Sequence, residues 1–306
     1  MHTAFVSHAE CLFHDMGKHH PESPQRLKAI DDQLIASGLI GLLMQHDAPL
    51  VTREQLQRVH SPEYIERLER VAPKTGMASL DDDTLMNPYT WQAALRAAGA
   101  VVLGVDLVMR DDVENAFCSI RPPGHHAERA RAMGFCFFNN VAVGAAHAMA
   151  AYGLRRVAVV DFDVHHGNGT ENIFHDDARV MLCSTFQHPF YPFSGVDSGN
   201  EHIINVALPA YSDGEVFRRA VEKAWLPALE RFKPEMILVS AGFDAHIEDD
   251  MSMLRWRDED YVWITQEIKK LAACHADGRI VSVLEGGYAL QALGRCVAAH
   301  IRVLAD

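Results

Sequence analysis

The sequence predicts an α/β fold: one domain, 1–306, built on a central, mostly parallel sheet of about eight strands with helices on both faces. Three observations predict it. Short β-branched runs alternate with longer helical patterns from end to end, the pattern of βαβ units. Several of the runs are apolar at consecutive positions, as strands covered on both faces are. No Pro/Gly/Ser-rich linker, low-complexity tract or internal repeat divides the chain.

The first and weakest candidate strand is 3–6. Residues 72–83, charged and turn-rich, read as a long loop, and such loops in a folded domain are functional or mobile. A helix is expected over 91–109, where small and apolar residues recur at helical spacing and suit close packing on a sheet. Strand 116–120, helix 141–152, and strands 156–160 and 180–184 follow. A second long loop, 188–201, leads to strand 203–207. Helix 215–231, strand 236–240, helix 258–275, strand 280–284 and helix 290–304 complete the alternation.

The balance of 41 acidic against 28 basic residues gives a formal net charge of −13. Nucleic acid is therefore an unsuitable partner, because neutralising phosphates requires a basic face; a cationic substrate remains compatible. A chain 48% hydrophobic and 23% charged has the composition of an ordinary globule, which excludes disorder, collagen and coiled coil. The cysteines Cys11, Cys118, Cys136, Cys183, Cys274 and Cys296 include no C-x-x-C pair, so buried thiols in a reducing compartment are expected. No basic segment followed by an apolar run opens the chain, and no stretch is expected to reach the roughly 18 apolar residues of a membrane span. The expectation is a cytoplasmic protein without a membrane partner; a homo-oligomer stays open.

In parallel α/β sheets ligands sit beyond the carboxyl ends of the strands, and polar motifs fall there four times. Strand 116–120 runs into Arg121-Pro122-Pro123-Gly124-His125-His126, and strand 156–160 into Asp161-Phe162-Asp163-Val164-His165-His166-Gly167. Strand 236–240 leads to Ala241-Gly242-Phe243-Asp244, and strand 280–284 to Glu285-Gly286-Gly287-Tyr288. Asp163 and His165, two apart, leave the same side of an extended segment and can converge on one ion. Asp244 can supply a third ligand. Two carboxylates and an imidazole suit Zn²⁺, with Fe²⁺ or Co²⁺ tolerated, and three protein ligands leave a position open for chemistry. His125 and His126 follow a constrained Pro-Pro-Gly turn, where imidazoles serve either proton transfer or metal ligation. Tyr288, after two glycines on the same rim, can donate a hydrogen bond to a developing oxyanion.

These motifs, together with Gly134-Phe135-Cys136-Phe137-Phe138-Asn139-Asn140 and the stretch from His20 to Arg26, resemble in their order the zinc-dependent histone deacetylases. The resemblance is to the class II branch and its bacterial amidohydrolase relatives, a group that includes acetylpolyamine amidohydrolases and acetoin-utilisation proteins. It spans nearly the whole chain. It implies the arginase–deacetylase fold, Zn²⁺ on Asp163, His165 and Asp244, His126 as general base and His125 as the partner that stays protonated. It implies further that Asp161 orients His125 and Asn168 orients His126, Asn168 standing where class I enzymes carry Asp. A K⁺ ion near Asp161, Asp163, His165, Ser184 and Thr185 follows from the same likeness. So does a channel walled by Gly134, Phe135 and Tyr191, with Met251 near its rim. The implied reaction is hydrolysis of an N-acetyl-lysine side chain in a protein or peptide, the alternative being an acetylated polyamine or other small-molecule amine. The run Glu248-Asp249-Asp250 reads as a solvated loop, with the channel mouth as its other possible place. An arginase-like binuclear hydrolase would need more carboxylates than the motifs supply.

Overall fold

A computed structural model of the chain describes residues 2–306. Among these described residues are ten strands and ten α-helices, largely in alternation. In chain order they are β1 (Thr3–Ser7), α1 (Gln25–Ala36), β2 (Met44–Asp47), α2 (Arg53–Gln57), α3 (Pro62–Val71), β3 (Ala78–Ser79) and β4 (Leu85–Met86). Next come α4 (Thr90–Met109), β5 (Asn115–Cys118), α5 (Asn140–Tyr152), β6 (Val157–Asp161), α6 (Asn168–Phe174), β7 (Val180–Gln187) and β8 (Ile203–Leu208). The chain ends with α7 (Gly214–Ala220), α8 (Leu226–Phe232), β9 (Met236–Ala241), α9 (Asp258–His275), β10 (Ile280–Leu284) and α10 (Leu290–Ala305).

Eight strands form one sheet in the order β2-β1-β5-β10-β9-β6-β7-β8, and every neighbouring pair in it is parallel. Strand β5 shows how both faces are covered. Cys118 meets the Ala100 carbonyl of α4, whereas Phe117 packs edge-on against His300 of α10; successive side chains of a strand leave by opposite faces. Helices α4 and α5 therefore cover one face, and α1, α9 and α10 the other. Burial on both sides explains the consecutive apolar residues of β6 and β9 and of β10 either side of Ser282, all of them buried.

Helix α4 departs from the expectation that no stretch reaches the length of a membrane span. Its 20 residues are long and apolar enough to cross a membrane by composition. In this fold they are core: α4 packs on α5, β1, β5 and β10, and Ala97, Ala98, Val101 and Val105 are buried.

Three further differences have local causes. The expected helix 215–231 is interrupted by a π-helical turn, Val221–Trp225, just before Pro227; proline cannot donate to the preceding turn, and the wider turn accommodates it. The loop 72–83 contains part of a small antiparallel hairpin, β3 with β4, whereas 188–201 is irregular apart from the first residues' continuity with β7. Helices α1, α2, α3 and α6 and edge strand β2 had no counterpart in the sequence reading.

Candidate active site

The four strands that end in polar motifs, β5, β10, β9 and β6, are consecutive neighbours at the centre of the sheet. Their carboxyl ends therefore deliver the motifs side by side. His165 Nδ1 lies 2.9 Å from Asp163 Oδ1 and 3.3 Å from Asp244 Oδ2. One ligand atom from each residue lies within 4.8 Å of the others, and all three residues are buried. Backbone donors fix the carboxylates: Gly286 N–H donates to Asp163 Oδ2 at 2.8 Å and Val164 N–H to Asp244 Oδ1 at 3.0 Å. The second oxygen of Asp244 is buried without a hydrogen-bond partner, where polar atoms ordinarily have one. Burial and the charge of Asp163 push Asp244 up to about 6, a repulsion that a divalent cation relieves. The donor set and this orphaned oxygen fit Zn²⁺, and Fe²⁺ or Co²⁺ would suit the same donors.

A second grouping, His246, Asp258 and Cys296, has a different character. Asp258 already pairs with Arg295 Nε at 3.1 Å and accepts from His246 Nε2 at 2.9 Å. Burial pushes the Cys296 thiol above its usual range, away from the thiolate a metal requires. This network fastens the loop after Asp244 to α9 and α10.

The two adjacent histidines are buried and separately anchored. His125 Nδ1–H donates to Asp161 Oδ2 at 3.0 Å, and its Nε2 lies 3.7 Å from Asp163 Oδ1. Burial opposes the charged ring, but Asp163 and then Asp161 outweigh it, so His125 is held protonated well above the usual range. His126 Nδ1–H donates to Asn168 Oδ1 at 2.7 Å. Burial, then the neighbouring His125 and His165, hold His126 well below the usual range and leave it neutral. One ring is set as an acid and its neighbour as a base. The loop bearing them hangs on Glu285, whose carboxylate accepts from Gly124 N–H at 2.7 Å, His125 N–H at 3.1 Å and Ser240 Oγ at 3.1 Å. The sequence motif contained Glu285, but its role as an internal anchor came only with the fold.

Tyr288 reaches the same place from β10. Burial pushes its phenol well above the ordinary value, so it remains a protonated donor. Its turn is gripped from both sides. Asp249, 4% exposed, accepts from Tyr288 N–H at 2.6 Å and Ala289 N–H at 2.9 Å through one oxygen, and from Met251 N–H at 3.0 Å through the other. Neither place considered for this acid on sequence grounds is correct. It is an internal brace, while Glu248 pairs with Arg295 at 2.7 Å. On the other side, Arg26 donates to the Glu285 and Gly287 carbonyls, and its guanidinium carbon sits 5.0 Å from the Tyr288 ring centre. Glu22 joins Arg26 to Arg121 in a fully buried cluster with His14. Burial opposes the Glu22 charge, yet Arg121 and His14 hold its carboxyl well below the usual range.

A cavity of about 120 Å³ opens above these groups, lined by His125, His126, Phe135, Tyr191, Met251 and Tyr288 among others. Gly134 and Phe135 both adopt positive φ, 56° and 69°, and a Cβ on Gly134 would run into the His126 ring. Phe135 stands edge-on to Tyr288 at 6.1 Å, and Tyr191 edge-on to His126 at 5.2 Å. Phe190, which the sequence reading passed over, stacks on His165 at 5.4 Å and also lines the cavity. The remaining expected residues lie on the next strand: Ser184 of β7 is in register with Asp161 of β6, and the Ser184 and Thr185 hydroxyls are buried without partners.

Comparison with known proteins points the same way. The histone deacetylase domain family matches residues 20–304. A histone deacetylase-like amidohydrolase of Pseudomonas aeruginosa is 36% identical over 310 residues, covering 94% of this chain and 81% of its own. The human polyamine deacetylase HDAC10 is 38% identical over 325 residues; the match takes in 99% of this chain but 48% of the human protein, so the chain spans about half the length of that relative. The crystal structure of the HDA15 HD domain superposes with a TM-score of 0.93 at 33% identity, over 99% of this chain and 88% of that one.

Proposed function

This chain belongs to the histone deacetylase family and has its arginase–deacetylase fold, and from that premise we propose that it is a zinc-dependent amidohydrolase that removes acetyl groups from lysine side chains or similar amines. The family makes it a hydrolase of amides. The observation that supports the finer reading is the opposed setting of two adjacent histidines, one paired with Asp161 and one with Asn168, beside Asp163, His165 and Asp244.

Asp163, His165 and Asp244 would hold the Zn²⁺, which when bound supplies Lewis acidity to a carbonyl oxygen and makes water a stronger acid near neutrality. His126, neutral and with Nδ1–H committed to Asn168, offers Nε2 to take the proton from attacking water. Tyr288 donates to the carbonyl oxygen as it becomes negative. His125, kept protonated by Asp161 and Asp163, steadies the departing amine, which receives its proton from the histidine pair. The narrow aromatic cavity suits an unbranched alkyl chain. Asp161, Asp163, His165, Ser184 and Thr185 would hold a K⁺ ion, which would give the otherwise unpartnered Ser184 hydroxyl a partner.

A second reading, an acetylated polyamine as substrate, is favoured by the likeness to a polyamine deacetylase and by the net charge of −13. Turnover of acetyl-lysine peptides and N-acetylated polyamines by the zinc-loaded protein discriminates the two. Activity on either that is lost with a chelator and restored by Zn²⁺ supports the proposal; hydrolysis unaffected by chelation overturns the metal assignment.

A further inference from the structure

The amide of Asn168 has a second partner. Its Oδ1 accepts from His126 Nδ1 at 2.7 Å, and on the far side its Nδ2 donates to Glu128 Oε1 at 2.9 Å. The other atoms near Nδ2 are the Met133 sulfur at 3.3 Å, a weak acceptor, and the His126 carbonyl at 3.5 Å, at the limit of bonding distance. We propose that Glu128 is a positioning residue for the general base, acting through Asn168 to select the tautomer of His126; the inference rests on the reading of His126 as that base.

A primary amide has an acceptor end and a donor end, and rotation by half a turn exchanges them. Rotated, Asn168 would set Oδ1 against the Glu128 carboxylate and present its NH₂ to His126 Nδ1. His126 would then carry its proton on Nε2 and have no lone pair there to receive one. A charged acceptor opposite Nδ2 makes this arrangement unfavourable, because two oxygens without a proton between them would face each other. With Glu128 in place, Oδ1 turns to Nδ1–H and Nε2 is left basic.

The carboxylate is well supported for the task. Glu128 N–H donates to the Arg131 carbonyl at 2.9 Å, closing a tight turn, and its own carbonyl accepts from His60 Nδ1 at 3.0 Å. The neighbouring Arg129 N–H donates to Asn172 Oδ1 of α6 at 3.0 Å, which ties that turn to the helix bearing Asn168. Asn168 is buried, whereas Glu128 is half-buried and borders an open groove of about 820 Å³. Its charge stays hydrated on one side while its other oxygen serves the buried amide.

The partnership makes a prediction with a reversal of sign. Asn168→Asp replaces the donor that faces Glu128 with a second carboxylate oxygen, so the charge that helps the natural protein then opposes its neighbour. The test is a cycle of Glu128→Gln, Asn168→Asp and the double variant, measured as kcat and KM on the better acyl-amide substrate, with zinc content and Tm for each. Glu128→Ala is expected to lower kcat about tenfold with KM within about twofold, a fraction of the roughly 10²–10⁴ a general base supplies. Glu128→Gln should cost less in the natural background and raise kcat in the Asn168→Asp background. Glu128 variants at the natural kcat, or an equal loss in both backgrounds, overturn the proposal.

A readout independent of turnover accompanies it. The ¹⁵N shifts of the His126 ring should report one tautomer, protonated on Nδ1, in the natural protein and a mixture in Glu128→Ala. An unchanged tautomer in that variant refutes the role of Glu128 whatever the substrate. A changed tautomer in a protein inert towards every acyl amide supports the role and refutes the hydrolase reading instead.

Discussion

Replacing Gly286 by alanine probes the ligand cluster through the backbone rather than through a ligand. A Cβ at this position would lie 2.6 Å from Asp163 Oδ2 and 2.8 Å from Asp244 Cγ, and closer still to Asp244 Oδ2. Ordinary contact begins near 3.4 Å, so both carboxylates or the turn must retreat, by about 0.8 Å at Asp163 and by more at Asp244. Ligand distances in a working site hold to within about 0.2 Å, and the required shift is several times larger. Nor can the turn move freely, because Gly286 N–H is the donor to Asp163 Oδ2 and its neighbours are held by Asp249 and Arg26. Disturbing a single outer partner of a metal site typically weakens affinity by about 10- to 100-fold; here two ligands are disturbed together. Gly286→Ala is therefore expected to lose at least about 100-fold in Zn²⁺ affinity, read by competition with a chromogenic chelator and by metal content after dialysis. Circular dichroism should show a folded protein. Stoichiometric zinc held with natural affinity by folded Gly286→Ala would refute the placement of this turn against the ligands.

Three other outcomes follow from the same geometry. Tyr288→Phe should keep KM and lower kcat by about 10²–10³, the usual cost of one oxyanion donor; a natural rate would remove Tyr288 from the chemistry. Asp249→Ala frees the Tyr288 and Met251 backbones together and should lower kcat up to about 100-fold with zinc retained, whereas a change in zinc content alone would contradict its role as a brace. His300, buried between Thr265 and Ser282 at 2.7 and 2.8 Å, has its pKa lowered to about 3 by burial, so the unfolded chain takes up the proton first on acidification. The stability it contributes is present above about pH 6.5 and is lost as the pH falls towards 3, at up to about 1.4 kcal/mol per pH unit. The stability gap between the natural protein and His300→Gln, from urea midpoints, should shrink accordingly; a gap constant with pH would refute it.

What could be read from the sequence depended on where each element buries its side chains. Strands β6, β9 and β10 are covered on both faces and leave apolar runs, broken by Ser282 within β10, so their places were legible to within a residue. Strand β2 lies at the sheet edge and is largely exposed; Met-Gln-His-Asp has neither alternation nor an apolar run, and only its pairing with β1 makes it a strand. Helix α1 buries Leu27, Ile30 and Leu34 at helical spacing, but the Pro- and His-rich stretch before it masked its start. Helix α6 begins Asn-Gly-Thr in a motif dense with ligands, and its glycine signals a loop. Gly169 is instead a close approach, since a Cβ there would meet the backbone of His126 and Ala127.

The same distinction runs through the site. Asp163 and His165 were legible because their separation and their position after a strand are local facts. Glu285, Asp249 and Glu128 act on groups far away in sequence or hidden in the backbone: the Gly124 and His125 amides, the Tyr288 turn and the Asn168 side chain. No spacing encodes such partners, and a buried acid looks like any other acid until the fold is known. Glu248-Asp249-Asp250 shows the consequence for electrostatics. Of the three, Glu248 is paired with Arg295 and Asp249 is spent on three backbone donors. Counting charges along the chain thus overstates the field this segment offers an approaching amine, and only Asp250 remains unassigned on its exposed side. Whatever field that segment does present is screened beyond about 8–10 Å at physiological salt.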